Sequence, residues 1–208
     1  MNKTRIEALS DGVFAIVMTL LVIEIKVPHL PKNATDSEIW SEIHHLIPIF
    51  SSFVLSFAVL TMYWVSHHFL ITFMAKNIDR NLSYLNMLFL LTIALVPFSA
   101  NLLGFYYAQQ LPVFWYGGHL LIIAAILYLM RRYVVDNPKI ENSNIDEQDE
   151  RYSKIRMWLP IISAILGMGF SFINNNLALL SFILPLLIFL VPGSVAFLDK
   201  KIGRFLGK

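Results

Sequence analysis

Apolar residues along this chain gather into long blocks separated by short polar breaks. The breaks read "PHLPKNATDSE", "KNIDR", "GFYYAQQLP", "VVDNPKIENSNIDEQDER" and "NNN". Six blocks reach the ~20 apolar residues that a helix needs to cross a bilayer. They run over about 6–27, 43–74, 80–103, 112–132, 154–174 and 177–198. The pattern predicts an all-α integral membrane protein, with six transmembrane helices in a single domain spanning 1–208. The second block is longer than a bilayer requires. The longest break, Val134 to Arg151, is acidic and Asn-rich and predicts a flexible loop. The terminal "LDKKIGRFLG" and Lys208 predict a short basic amphipathic tail at the interface. Pro48, Pro97, Pro160, Pro185 and Pro192 lie in or near the blocks and predict kinks or ends. No long motif recurs, so no internal repeat is expected.

Composition supports the membrane assignment. Hydrophobic residues make up 57% of the 208 residues and charged residues only 14%, whereas a soluble domain carries about 25% charged residues. The mean hydropathy is +0.64. A net charge of +2 is too small to suggest a nucleic-acid partner. Cysteine is absent, which excludes disulfides and thiolate chemistry. The first block is too long for a signal-peptide core and lacks a small-residue cleavage pattern. With the N-terminus in the cytoplasm, only Lys26 and Lys32 of the 16 Lys and Arg fall outside. Both termini are therefore expected on the cytoplasmic side of a multi-pass protein.

Polar residues inside these blocks need partners, because an unpaired polar group in hydrocarbon costs several kcal/mol. At 1.5 Å per residue, Asp11 lies ~9 Å past Arg5, and Asn86 ~9 Å past Arg80. His67 and His68 lie ~12–14 Å before Lys76. Ser10, Asp11, one of His67 and His68, and Asn86 can therefore share one layer. The two histidines point about 100° apart, so only one can join it. Asp11 has a plainer reading as a helix cap or a headgroup-level carboxylate. No His-x-x-His spacing points to a metal site, and no cofactor motif is present. His44 and His45 belong at the outer headgroups.

On a helical projection of the first block, Gly12, Ile16, Thr19, Leu20 and Ile23 fall within one arc of about 100°, with Asp11 beside it. Such a stripe is either a helix–helix seam or the wall of a pore. The "GMGF" at Gly167–Phe170 places its two glycines on different faces and predicts close packing rather than a GxxxG seam. Tyr106, Tyr107, Trp115, Tyr116, Tyr152 and Trp158 lie near block ends, as an aromatic belt would. Tyr63 and Trp64 lie deeper. No TVGYG-like filter, Arg ladder, P-loop, Gly-x-Ser-x-Gly or His-Glu-x-x-His is present. A proton-coupled secondary transporter with Asp11 and His67 or His68 as relay is an alternative reading, weakened by the missing repeat.

The stretch "RIEALSDGVFAIVMTLLVIEI" resembles the first-helix signature of the bacterial and archaeal transmembrane protein 175 family. That signature is Arg-x-x-x-Phe-Ser-Asp, then Gly-hydrophobic-Phe-Ala-Ile and Thr-Leu-Leu. Arg5, Ser10, Asp11, Gly12, Phe14, Ala15, Ile16, Thr19, Leu20 and Leu21 match it, while Leu9 stands where the motif has Phe. "YWVSHHFL" and "NMLFLLTIALVPF" resemble the family's second and third helices. The resemblance implies a non-enzymatic channel for potassium and other monovalent cations, without a carbonyl filter. It implies a homotetramer in the lipid bilayer of a prokaryotic cell membrane, with the first helix lining a central pore. Ile16, Leu20 and Ile23 would then be hydrophobic constrictions, and Thr19 a ring of hydroxyls. Arg5, Ser10, Asp11, His67 or His68, and Asn86 would form the polar network that holds the helix, with Trp64 packed beside it.

Overall fold

A computed structural model describes residues 2–142, 145–191 and 193–205; for Leu190 and 202–205 it describes the backbone alone. Among the described residues nine α-helices follow one another: α1 Lys3–Ile23, α2 Asp36–His45, α3 Ile47–Phe69, α4 Arg80–Ala94, α5 Val96–Phe105, α6 Gln110–Val135, α7 Glu147–Phe170, α8 Asn175–Leu190 and α9 Ser194–Phe205. A π-helical turn, Leu70–Met74, extends α3.

The helix ends follow local chemistry. Asn2 caps α1 by accepting from the Thr4 N–H, and Asp79 caps α4 by accepting from Leu82. Thr35 and Glu38 form a reciprocal capping box that starts α2. This short helix occupies the end of the first polar break and the start of the predicted second block. The predicted third block is two helices. Pro97 supplies no N–H, and the chain breaks at Leu95 between α4 and α5. Pro48 similarly lies in the first turn of α3. Pro160 and Pro185 sit within α7 and α8, and Pro192 lies outside the described residues.

Among the described residues, four helical stretches are long and apolar enough to cross a membrane: Lys3–Ile23, Ile47–Met74, Arg80–Phe105 and Gln110–Val135. A fifth is reached if Asn175–Phe189 and Ser194–Lys201, bent by 102°, count as one. The sequence predicts six, and the difference lies at α7. Its first half carries Glu147, Asp149, Glu150, Arg151, Lys154 and Arg156. Only Met157–Phe170 is free of charge, ~21 Å at 1.5 Å per residue against a hydrocarbon core of about 30 Å. The turn at Gly193, with φ of +80°, separates α8 from α9, so the last predicted block is bent rather than straight. The predicted tail falls in α9 up to Phe205, and Leu206, Gly207 and Lys208 lie outside the described residues.

The stretch expected to be a flexible loop is pinned. Lys76 N–H donates to Ile140 O, and Asn142 N–H to Met74 O, forming an antiparallel bridge between Ala75 and Glu141. Beside it, the buried Arg131 donates through Nε to Ser153 Oγ and pairs with Glu150 at 3.4 Å. Lys154 and Arg131 hold the Glu150 carboxyl below the usual carboxylate range.

α6 packs on α7, α7 on α8, and α3 on α5, while α1 rests on α3, α4 and α5. Buried polar groups pair across these seams: Ser52 Oγ donates to Ala100 O, Tyr63 to Leu120 O, and Ser56 bonds Tyr116. The "GMGF" reading resolves into two roles. Gly167 faces the Phe182 ring, where a Cβ would lie 2.2 Å from a ring carbon, whereas Gly169 meets nothing within 4 Å.

Candidate functional site

The periodicity of α1 sorts its side chains into two faces. Ile6, Ser10, Phe14, Val17 and Leu21 recur at intervals of three and four and are buried. The opposite face carries Gly12, Ile16, Thr19, Leu20 and Ile23, all exposed in the protomer, with Ile16 at 60% and Ile23 at 65%. A Cβ added at Gly12 would meet nothing within 4 Å. Of the four stretches that qualify as spans, α1 is the least covered: 28% of its apolar window is buried, against 44–56% for the others.

The polar layer is a directed chain of hydrogen bonds. The Ser10 hydroxyl donates to Ile6 O at 2.9 Å, so its oxygen is left to accept. Asn86 Nδ2 donates to that oxygen at 3.3 Å, which turns Asn86 Oδ1 toward His67 Nε2 at 2.6 Å. Because Oδ1 only accepts, His67 carries its proton on Nε2. The donors run from α3 through α4 to a backbone carbonyl of α1. His67 is buried, stacked on Phe89 with centroids 5.0 Å apart and planes within 2°. Phe14 of α1 lies against both rings.

Asp11 is held separately. Its Oδ1 accepts from Trp64 Nε1 at 2.8 Å. Trp64 in turn packs against the ring of His68, which therefore belongs to this second group rather than to the chain through Asn86. The 100° between adjacent helical residues places His67 inward and leaves His68 half-buried. Arg5 joins neither group. It is exposed and makes no ion pair among the described residues, because six positions along a helix turn it about 120° away from Asp11.

Two anchors of α1 escaped the sequence reading. Lys3 Nζ donates to Thr72 O at 2.7 Å and Ala75 O at 2.9 Å, carbonyls near the end of the π turn. Glu7 accepts from Thr72 Oγ1 at 2.8 Å. Their signal was present, since Lys3 and Glu7 are four apart and share the azimuth of the buried stripe. At the other end of α1, Asn101 donates to the Glu24 carboxylate. Buried His119 was also missed: it accepts from Ser99 at Nδ1 and donates from Nε2 to Thr92 O, tying α6 to the α4–α5 break.

Thr19 Oγ1 lies 2.8 Å from Ile16 O and 3.1 Å from Ala15 O, so its proton is spent on its own helix. The hydroxyl lone pairs are left toward the exposed stripe. No three His, Cys, Asp or Glu gather into a metal-binding group among the described residues.

A family model described as endosomal/lysosomal potassium channel TMEM175 matches residues 5–97, which contain the stripe and both polar groups. A protein of Chryseobacterium sp. (strain P1-3) named potassium channel is 32% identical over 206 residues, covering 99% of this chain and 98% of its own length. A Streptomyces collinus protein, also named potassium channel, is 30% identical over 184 residues and covers 86% and 87%. The crystal structure described as a lysosomal potassium-selective channel TMEM175 homolog from Chamaesiphon minutus matches with a TM-score of 0.77 and 28% identity, covering 95% of this chain and 97% of that one.

Proposed function

This chain belongs to the TMEM175 family of potassium channels, and from that premise we propose that four copies close around an axis with α1 innermost, forming a cation pathway gated by aliphatic side chains. The observation that carries the reading is the mismatch on α1. The least covered span is fixed by four polar anchors in its first half: Lys3, Glu7, Ser10 and Asp11. Lipid alone asks for no such fixing of a helix's rotation. A pore does, because its aperture depends on which side chains face the axis.

In this arrangement Ile16, Leu20 and Ile23 present rings of hydrocarbon that exclude water when they close, so the barrier to ions is dewetting rather than a blocking charge. Between them Thr19 offers one ring of oxygen acceptors. With no backbone-carbonyl filter, discrimination rests on how readily an ion sheds water, which favours potassium over sodium modestly. Closed symmetry of four identical subunits supplies the ring. Both termini lie in the cytoplasm, following the Lys and Arg bias.

A proton-coupled relay through Asp11 and His67 fits the geometry poorly. The partner of Asp11 is an indole N–H, which donates but does not accept, and the Asn86 amide between His67 and Ser10 has no exchangeable path in this orientation.

The test is single-channel recording from purified protein in planar bilayers, with potassium replaced by sodium and then by choline. Reversal potentials that follow potassium, and an open probability or conductance raised by Ile23→Asn, support the reading. Currents carried by chloride, or saturable flux with no unitary currents, overturn it.

A further inference from the structure

α1 carries its end charges the wrong way round for its own stability. A helix N-terminus favours acids and a C-terminus favours bases, because the backbone dipole places about half a positive charge at the start and half a negative one at the end. The first turn of α1 has no acid and the last turn no base. Instead, Lys3 and Arg5 stand at the start and Glu24 at the C-cap. The need of the π turn for a donor to Thr72 O and Ala75 O accounts for Lys3. Nothing within the protomer accounts for Arg5, which is exposed and has no ion pair among the described residues.

Its position on the helix is specific. Eighteen residues, five full turns, separate Arg5 from Ile23, so the two share an azimuth ~27 Å apart. Ile16 lies within about 20° of the same line. Arg5 is thus the cytoplasmic end of the stripe that Ile16 and Ile23 form. Glu7 and Asp11, the nearest acids on α1, point more than 100° away and are engaged by Thr72 and Trp64. At the outer end the balance reverses. Glu24, Asp36, Glu38 and Glu42 stand against Lys26 and Lys32 in the segment from 24 to 46.

We propose that Arg5 from each subunit forms a cationic collar at the cytoplasmic mouth, which together with the acidic outer segment makes the pathway pass potassium inward more readily than outward at low ionic strength. The inference rests on the four-fold arrangement of α1 proposed above. Four guanidinium groups about 10 Å from the axis deplete local potassium about five-fold at 20 mM salt, where the screening length is about 20 Å. Counting Glu7 and Asp11 about a helix diameter further out reduces this to about two-fold. At 1 M salt the screening length is about 3 Å and the effect vanishes. The outer acids act with the same sense on inward current, and four parallel helix dipoles reinforce both.

The experiment is the single-channel current–voltage relation in symmetrical 20 mM and 1 M KCl for the unmodified protein, Arg5→Gln, Arg5→Lys and Glu24→Gln. The expected result is an inward current about two-fold or more above the outward at 20 mM, and a nearly straight relation at 1 M. Arg5→Gln raises outward current and straightens the 20 mM relation, Arg5→Lys retains the asymmetry, and Glu24→Gln lowers inward current. A straight relation at 20 mM in the unmodified protein overturns the proposal, as does an asymmetry that Arg5→Gln leaves intact or that persists at 1 M; the four-fold pathway itself survives either result. A protein that carries no cation current overturns the pathway reading and the collar with it.

Discussion

Replacing Asn86 with alanine removes a side chain that links three helices. The Asn86 amide is fully buried, accepts from His67 Nε2 at 2.6 Å and donates to Ser10 Oγ at 3.3 Å. Its loss leaves the His67 N–H without a partner in an interior lined by Phe14 and Phe89. An orphaned buried donor costs about 1–3 kcal/mol. Ser10 suffers less, because its proton still goes to Ile6 O, and an interhelical hydrogen bond in a membrane protein averages about 0.6 kcal/mol. The small void adds to both, for a total of about 2–4 kcal/mol. At roughly 2–4 °C per kcal/mol for a chain of this size, thermal unfolding in detergent should fall by roughly 5–15 °C. A double-mutant cycle with Ser10→Ala isolates the weaker link, with an expected coupling of about 0.6 kcal/mol. A midpoint shifted by less than about 2 °C, with zero coupling to Ser10, would refute the claim that this chain of bonds fixes α1 on α4.

Two further substitutions separate packing within the protomer from packing between protomers. Gly167→Ala drives a Cβ to within 2.2 Å of the Phe182 ring, which must move; overpacking of this kind costs about 1–3 kcal/mol, while Gly169→Ala, with open space around it, should be neutral or stabilising in the same thermal unfolding assay. Gly12→Leu meets nothing within the protomer, so helicity measured by circular dichroism should be unchanged, whereas native mass spectrometry should show a reduced tetramer population and bilayers a reduced potassium current.

Much of this fold is legible from hydropathy because lipid imposes one simple requirement on every span. The starts of α4 and α6 follow from Asp79 and from the polar pair Gln109–Gln110. What escapes is whatever depends on missing or diverted backbone bonds. The break at Leu95 needs the geometry of Pro97 in a particular turn, and the π turn at Leu70–Met74 carries no composition signal. Between Asp136 and Ile145, polar composition suggests freedom, but the Met74–Asn142 and Lys76–Ile140 bonds lie between segments far apart in sequence. The polar layer was legible in depth but not in pairing. Depth follows from residue count, whereas the choice of His67 over His68, and of Trp64 over Arg5 for Asp11, follows from rotations that only the packed helices settle.

The placement of the anchors along α1 bears directly on its role. Lys3, Glu7, Ser10 and Asp11 all fall in the first half, and each is bonded to α3, to the π turn that follows it or to α4. Beyond Asp11 the buried contacts of α1 are the apolar Phe14, Val17 and Leu21, until Asn101 meets Glu24 at its far end. Apolar contacts hold a helix at a distance but fix its rotation weakly, because dispersion is non-directional. Directional bonds fix rotation, and the helix transmits that angle along its length. On a helix with side chains at a radius of about 5 Å, a turn of 20° displaces Ile16, Leu20 and Ile23 by about 2 Å at the surface. A constriction of aliphatic groups opens or dewets over distances of that order. In the proposed four-fold arrangement, the polar layer in the first half of α1 therefore sets the angle at which the aliphatic stripe, one to three turns further along, meets its counterparts.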